Sequence, residues 1–89
     1  MYTRFWFEFD IESAFNFPPG IGIGCGVTAL NYDDATNLMN KNIFFEIPMP
    51  TIKRVVEDVD IRDLDQGHVI PNMKHPVGRG IWFPLGYSV

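Results

Sequence analysis

The stretch Ile21-Gly-Ile-Gly-Cys-Gly-Val-Thr-Ala-Leu30-Asn-Tyr-Asp-Asp-Ala-Thr-Asn-Leu-Met-Asn-Lys-Asn42 decides the fold class, because its hydrophobic period changes partway along. From Ile21 to Leu30 every second residue is apolar: Ile21, Ile23, Cys25, Val27 and Ala29 share one face, as in a β-strand. From Asn31 to Asn42 the period lengthens, and Tyr32, Ala35, Leu38 and Met39 fall on one face of a helix. Asn31 can cap that helix, Asp33 and Asp34 in its first turn complement the dipole, and Lys41 does so in the last turn. A strand passing directly into a helix that covers one sheet face predicts an α+β domain.

The other face of the same strand carries Gly22, Gly24 and Gly26. Glycines in register cost packing and chain entropy, so they imply that a backbone or a flat ring approaches closely there. Together with Gly20 they spell G-x-G-x-G-x-G, which lacks the G-x-G-x-x-G spacing, and no G-K-[ST] follows. A phosphate cradle is therefore rejected. Cys25 sits on the apolar face, where it reads as a small buried hydrophobe, since no cationic neighbour is present to activate its thiol.

Toward the N-terminus, Thr3 to Ile11 alternates cleanly. Phe5, Phe7, Phe9 and Ile11 face one way, and Arg4, Trp6, Glu8 and Asp10 face the other. Trp6 is either a ring lying over the sheet or an anchor for a partner. Glu12 to Gly20 reads as a loop with a Pro18-Pro19-Gly20 turn, from which Phe15 and Phe17 fold back over one end of the core. Toward the C-terminus, Ile43–Ile47 is an edge segment or an extended connector, ended by Pro48 and Pro50. Ile52–Ile61 reads as a strand with Val55, Glu57, Val59 and Ile61 on one side, and Asp60 caps a single turn after it. Val69–Gly78 is loop, Gly80–Phe83 is a last strand limited by Pro84, and Gly86–Val89 is a tail. The expectation is one α+β domain over residues 1–89. It is a two-layer sandwich, one helix on a small mostly antiparallel sheet, in the order β-β-α-β-β with room for a short extra strand after the helix.

Composition narrows the function. At 46% hydrophobic and 15% aromatic the chain belongs to the globular class. Its net charge of −4, with basic residues scattered along the sequence, argues against nucleic acid and for a basic protein partner. A lone cysteine excludes an intrachain disulfide and suits a reducing compartment. Glu8 and Asp10 break any signal-peptide core, and no apolar run approaches the roughly 18–20 residues of a membrane helix. A cytoplasmic protein that does not engage a membrane is expected.

Acidic residues concentrate at Glu57, Asp58, Asp60, Asp63 and Asp65, with His68 just beyond. A calcium loop starting at Asp63 fails, because the fifth position is Gly67 and the twelfth is Lys74. No Cys/His spacing supports a transition metal, so neither a metal nor a cofactor is expected. Glu57, on the strand face of Val55, Val59 and Ile61, and His68, beside Val69 and Ile70, are the fallback candidates for acid–base chemistry. Ser13 and Ser88 occupy a loop and a tail, and no G-x-S-x-G elbow exists. The residues thus favour a non-enzymatic binding module. Asp58, Asp60, Asp63 and Asp65 would supply charge, and Trp6, Trp82 and Tyr87 would anchor the contact. Two alternatives stand beside it: a small enzyme or oligomeric domain with a cleft around Glu57 and His68, and a structural homodimer formed through an exposed sheet face.

Glu57-Asp-Val-Asp60, Leu64-Asp-x-Gly-His68, Pro71-Asn-Met73, Arg79-Gly-Ile-Trp-Phe-Pro84 and Gly26-Val-Thr-Ala29 together resemble small uncharacterised bacterial proteins. In size and acidity these are similar to immunity proteins that neutralise a toxin domain. The resemblance implies an inhibitor of a basic toxin or enzyme, with no catalytic residue.

Overall fold

A computed structural model describes residues 1–11 and 20–85. The expected loop at Glu12–Pro19, with Phe15 and Phe17, and the tail at Gly86–Val89 lie outside the described residues. Strand β1 (Thr3–Asp10) is central. It pairs antiparallel with β2 (Cys25–Ala29) on one side and with β3 (Thr51–Glu57) on the other. Strand β4 (Gly80–Phe83) pairs antiparallel with β2, so the sheet runs β3-β1-β2-β4. Because β2 and β3 both oppose β1, they run in the same direction with β1 between them. Helix α1 (Tyr32–Asn42) makes the connection from β2 toward β3. The chain order β-β-α-β-β and the α+β class are thus as the sequence reads, with every ladder antiparallel.

The helix forms where its period and cap predict. The Asn31 side chain accepts from Asp34 N–H at 2.8 Å, and an Asp34 carboxylate oxygen accepts from Leu30 N–H at 3.0 Å. Ala35, Leu38 and Met39 are buried against the sheet face that carries Phe5, Phe7, Cys25 and Val27. This is the larger core.

Three boundaries differ from the sequence reading, each for a backbone reason. Strand β2 begins only at Cys25; Gly20 (φ +94°) and Gly24 (φ +153°) adopt conformations that side chains resist, and the Ile23 and Gly24 N–H groups donate to Gly20 O. Ile43–Ile47 forms no strand. Ile43 and Phe44 fold back onto the core, their N–H groups both donating to Met39 O at the helix end. Strand β3 ends at Glu57, because Asp58 takes a left-handed conformation (φ +54°) that Asp tolerates better than most residues.

Beyond Asp58 the chain crosses to the opposite face of the sheet, so Val59 does not share a side with Val55. Val59, Leu64 and Val69 are buried there with Trp6, Trp82 and Phe83 in a second core. The expected two-layer sandwich is therefore corrected: the helix covers one face and the irregular 58–77 segment covers the other. That segment's apolar residues follow no regular period, so periodicity could not reveal that it packs. Cover is incomplete at the β3 edge, where no residue is fully buried and the Glu8–Arg54 pair stays open to solvent.

The sheet edges are blunted as well. The β1–β3 register shifts between Glu8 and Phe9 and leaves Lys53 as the extra residue of a bulge, a device that disfavours edge-to-edge pairing. On the other edge, Lys74 N–H donates to Trp82 O at 2.9 Å and binds the covering segment to β4.

Candidate functional site

The acidic stretch leaves β3 as a braced turn. Val59 N–H donates to Arg4 O at 3.2 Å, and Arg4 Nε donates back to Val59 O at 3.1 Å. This reciprocal pair fixes the position of Asp58, which is exposed. Asp60 then caps the short 3-10 turn Ile61–Asp63 by accepting from Arg62 N–H at 3.0 Å. The Arg62 guanidinium also grips both Asp60 oxygens, at 3.1 and 2.8 Å, and together with that N–H holds the Asp60 carboxyl down at about 2. Asp65 accepts from Gly67 N–H at 2.8 Å and from His68 N–H at 3.1 Å, with His68 Nδ1 lying 3.0 Å from its second oxygen. The Gly67 amide and then the His68 ring keep the Asp65 carboxyl below its usual range.

The four aspartates therefore divide by task. Asp60 and Asp65 build the turn, while Asp58 and Asp63 are exposed and accept no hydrogen bond of it, and Glu57, which precedes Asp58, is exposed too. Glu57 and Asp58 form no ion pair among the described residues.

The aromatic anchors are corrected. Trp6 and Trp82 are 4% and 2% exposed, their rings stacked with centroids 6.0 Å apart. A Cβ on Gly24 would lie 2.4 Å from the Trp6 ring, and one on Gly26 would lie 2.4 Å from the Trp82 ring. The glycines thus admit flat rings, as their register implies, and the rings they admit are these two tryptophans. Neither indole can anchor a partner from inside the core. Tyr87, the third anchor, lies outside the described residues. Exposed apolar side chains are spread over the surface, Phe45 and Val77 among them, and two of them, Tyr2 and Leu30, flank the paired residues Thr3 and Ala29 at one end of the sheet. The sequence reading carried alternation through both positions, whereas the structure ends the strands at Thr3 and Ala29 and leaves both side chains exposed.

Glu57 and His68 are not brought together. Glu57 ends the edge strand β3, whereas His68 lies beside Phe83 and Pro84 at the end of β4, the opposite edge strand. Three strand spacings, about 14 Å, separate those edges. Both residues are exposed, so the shared apolar cleft expected around them is absent. The physical reason is the left-handed Asp58, which takes Val59 off the face of Val55 and leaves Glu57 at a strand end. Cys25 is fully buried, and desolvation pushes its thiol far up, away from nucleophilic use. Among the described residues no group of three His, Cys, Asp or Glu side chains is arranged to hold a metal ion. No helix among them is long and apolar enough to cross a membrane.

Two shallow hollows flank the Lys74–His75–Pro76 segment, which the sequence reading left as loop. One, of about 300 Å³, is lined by Ile61, Ile70 and Met73. The other, of about 160 Å³, runs along the outer side of β4 and includes Arg79 and Trp82. Trp82 Nε1 is buried without a hydrogen-bond partner, the one such side-chain atom among the described residues. A buried donor left unmatched costs about 1–3 kcal/mol. Comparison with protein-family models, with curated proteins and with solved structures returned no match.

Proposed function

We propose that this domain is a non-enzymatic protein-binding module that presents an acidic surface to a basic protein, in its most specific form an immunity-like inhibitor of a basic toxin or enzyme. The observation that carries the reading is the braced turn. Glu57, Asp58 and Asp63 are exposed on a backbone held by the Arg4–Val59 pair and by the caps of Asp60 and Asp65. Charges on a preorganised backbone lose little entropy on binding and steer a basic partner toward the surface. Tyr2 and Leu30 supply exposed apolar area at the same end of the sheet, since Glu57 pairs with Phe5 and Ala29 with Thr3. They replace Trp6 and Trp82 as the contact anchors in this reading. A lone, buried cysteine suits a reducing compartment, and the reading takes the cytoplasm as its setting.

The test is a binding titration against a partner first captured by the tagged domain and then purified. Affinity is expected to fall as salt rises. The Glu57→Lys/Asp63→Lys variant is expected to bind at least about tenfold more weakly, the loss of a charge-assisted contact or more. Neither substitution removes a hydrogen bond of the turn, so folding should survive, as far-UV circular dichroism would verify. Unchanged affinity in the folded variant would remove this surface from the function.

A further inference from the structure

We propose that the outer edge of β3 pairs with β3 of a second copy of this chain, antiparallel about a two-fold axis at Val55. The inference goes beyond the acidic turn and needs no basic partner. Among the described residues the β3 backbone bonds only to β1, so its outward N–H and C=O groups are open to a further strand. The opposite edge differs, since Lys74 N–H donates to Trp82 O and ties the covering segment to β4. Association through β3 about a two-fold axis therefore closes as a dimer and does not grow into a fibre.

Charge selects both the occupant and the register. Lys53 and Glu57 are exposed, and neither has an ion-pair partner among the described residues. With Val55 on the axis, Lys53 of each copy lies opposite Glu57 of the other, so two matched pairs flank the Val55 contact. An axis at Arg54 would set the two Arg54 side chains against each other. An axis at Val56 would place Glu57 opposite Val55 and carry Lys53 past the strand end. Packing favours the same contact. Val55 is a partly buried rim of the core under the helix, and Val56 is a partly buried rim of the second core. Pairing here extends both apolar layers across the axis. The bulge at Lys53 limits the ladder and does not abolish it: regular pairing with β1 holds from Arg54 to Glu57, so the contact is short and the dimer weak and reversible.

Sedimentation equilibrium and 1H–15N NMR on the intact domain test this, over concentrations from about 10 μM to about 1 mM at low salt. The average mass should rise toward that of a dimer, and the amides of Lys53–Glu57 should shift together with concentration. Added salt should weaken the association. Lys53→Glu sets like charges opposite each other at both ends of the ladder and should lower the association constant at least about fivefold. Lys53→Glu/Glu57→Lys exchanges the charges and should restore it, a recovery that general destabilisation of the strand would not produce. Circular dichroism checks that each variant is folded. A monomer throughout this range would overturn the proposal, as would a dimer unchanged by Lys53→Glu or one that the exchange does not restore. Glu57 also belongs to the acidic surface, but no partner protein enters these measurements, so the two readings stand or fall separately.

Discussion

Gly26 shows most directly how a single residue position carries the fold. Its missing side chain is the space that Trp82 fills, and a methyl group there would sit 2.4–2.5 Å from three ring atoms with no flexible end to yield. Gly26→Ala is therefore expected to destabilise by about 1–3 kcal/mol through overpacking, seen as a lower denaturant midpoint with an unchanged slope. Asp34 is the second such position. The Arg79 guanidinium first, then Leu30 N–H, holds its carboxyl at about 2, below the usual range. A carboxyl depressed in the folded state adds stability that is complete above its unfolded value. That stability is lost as pH falls from about 4 toward 2. Asp34→Asn should lower stability at neutral pH and flatten this acid limb; an acid limb as steep as that of the unchanged chain would refute the assignment.

Among the elements, helix α1 was the most legible in sequence. Its period, its Asn31 cap and its acidic first turn agree, and local signals that agree tend to survive folding. Asn31→Ala removes the cap to Asp34 N–H and is expected to cost about 1 kcal/mol, measurable by thermal or chemical denaturation. Strand β1 was equally plain, since its phenylalanines alternate over the whole element. Strand β2 was read too long, because alternation continues through Ile21 and Ile23 while two glycines bend the backbone. Strand β3 was also read too long. Nothing in Glu57-Asp58-Val59 marks the left-handed Asp58, yet that one conformation sends Val59 to the opposite face. The same step dissolves the Glu57 cleft.

For the whole molecule, the decisive fact is that each sheet face carries a buried cluster, one under α1 and one under the 58–77 segment. Leu64, 8% exposed, belongs to the second cover. Leu64→Ala should cost about 2–5 kcal/mol, the range for emptying a buried leucine site. If the cover loosens locally, tryptophan emission should shift to the red before the secondary structure melts, because Trp6 and Trp82 lie directly beneath. Coincident transitions would mean that the cover and the sheet unfold as one unit.

The sequence alone determined the α+β class, the order of elements, the capped helix, the close approach at the glycines and the exclusion of a calcium loop. All of these rest on local periods, caps and spacings, which a chain carries whether or not it is folded. Only the tertiary structure decided that Trp6 and Trp82 are core rather than surface, and that Glu57 and His68 lie at opposite edges. It also decided that two of the four aspartates serve to build the turn that displays the others. Each depends on where an irregular segment lands after one left-handed residue, a non-local outcome that no period in Val55–Met73 encodes.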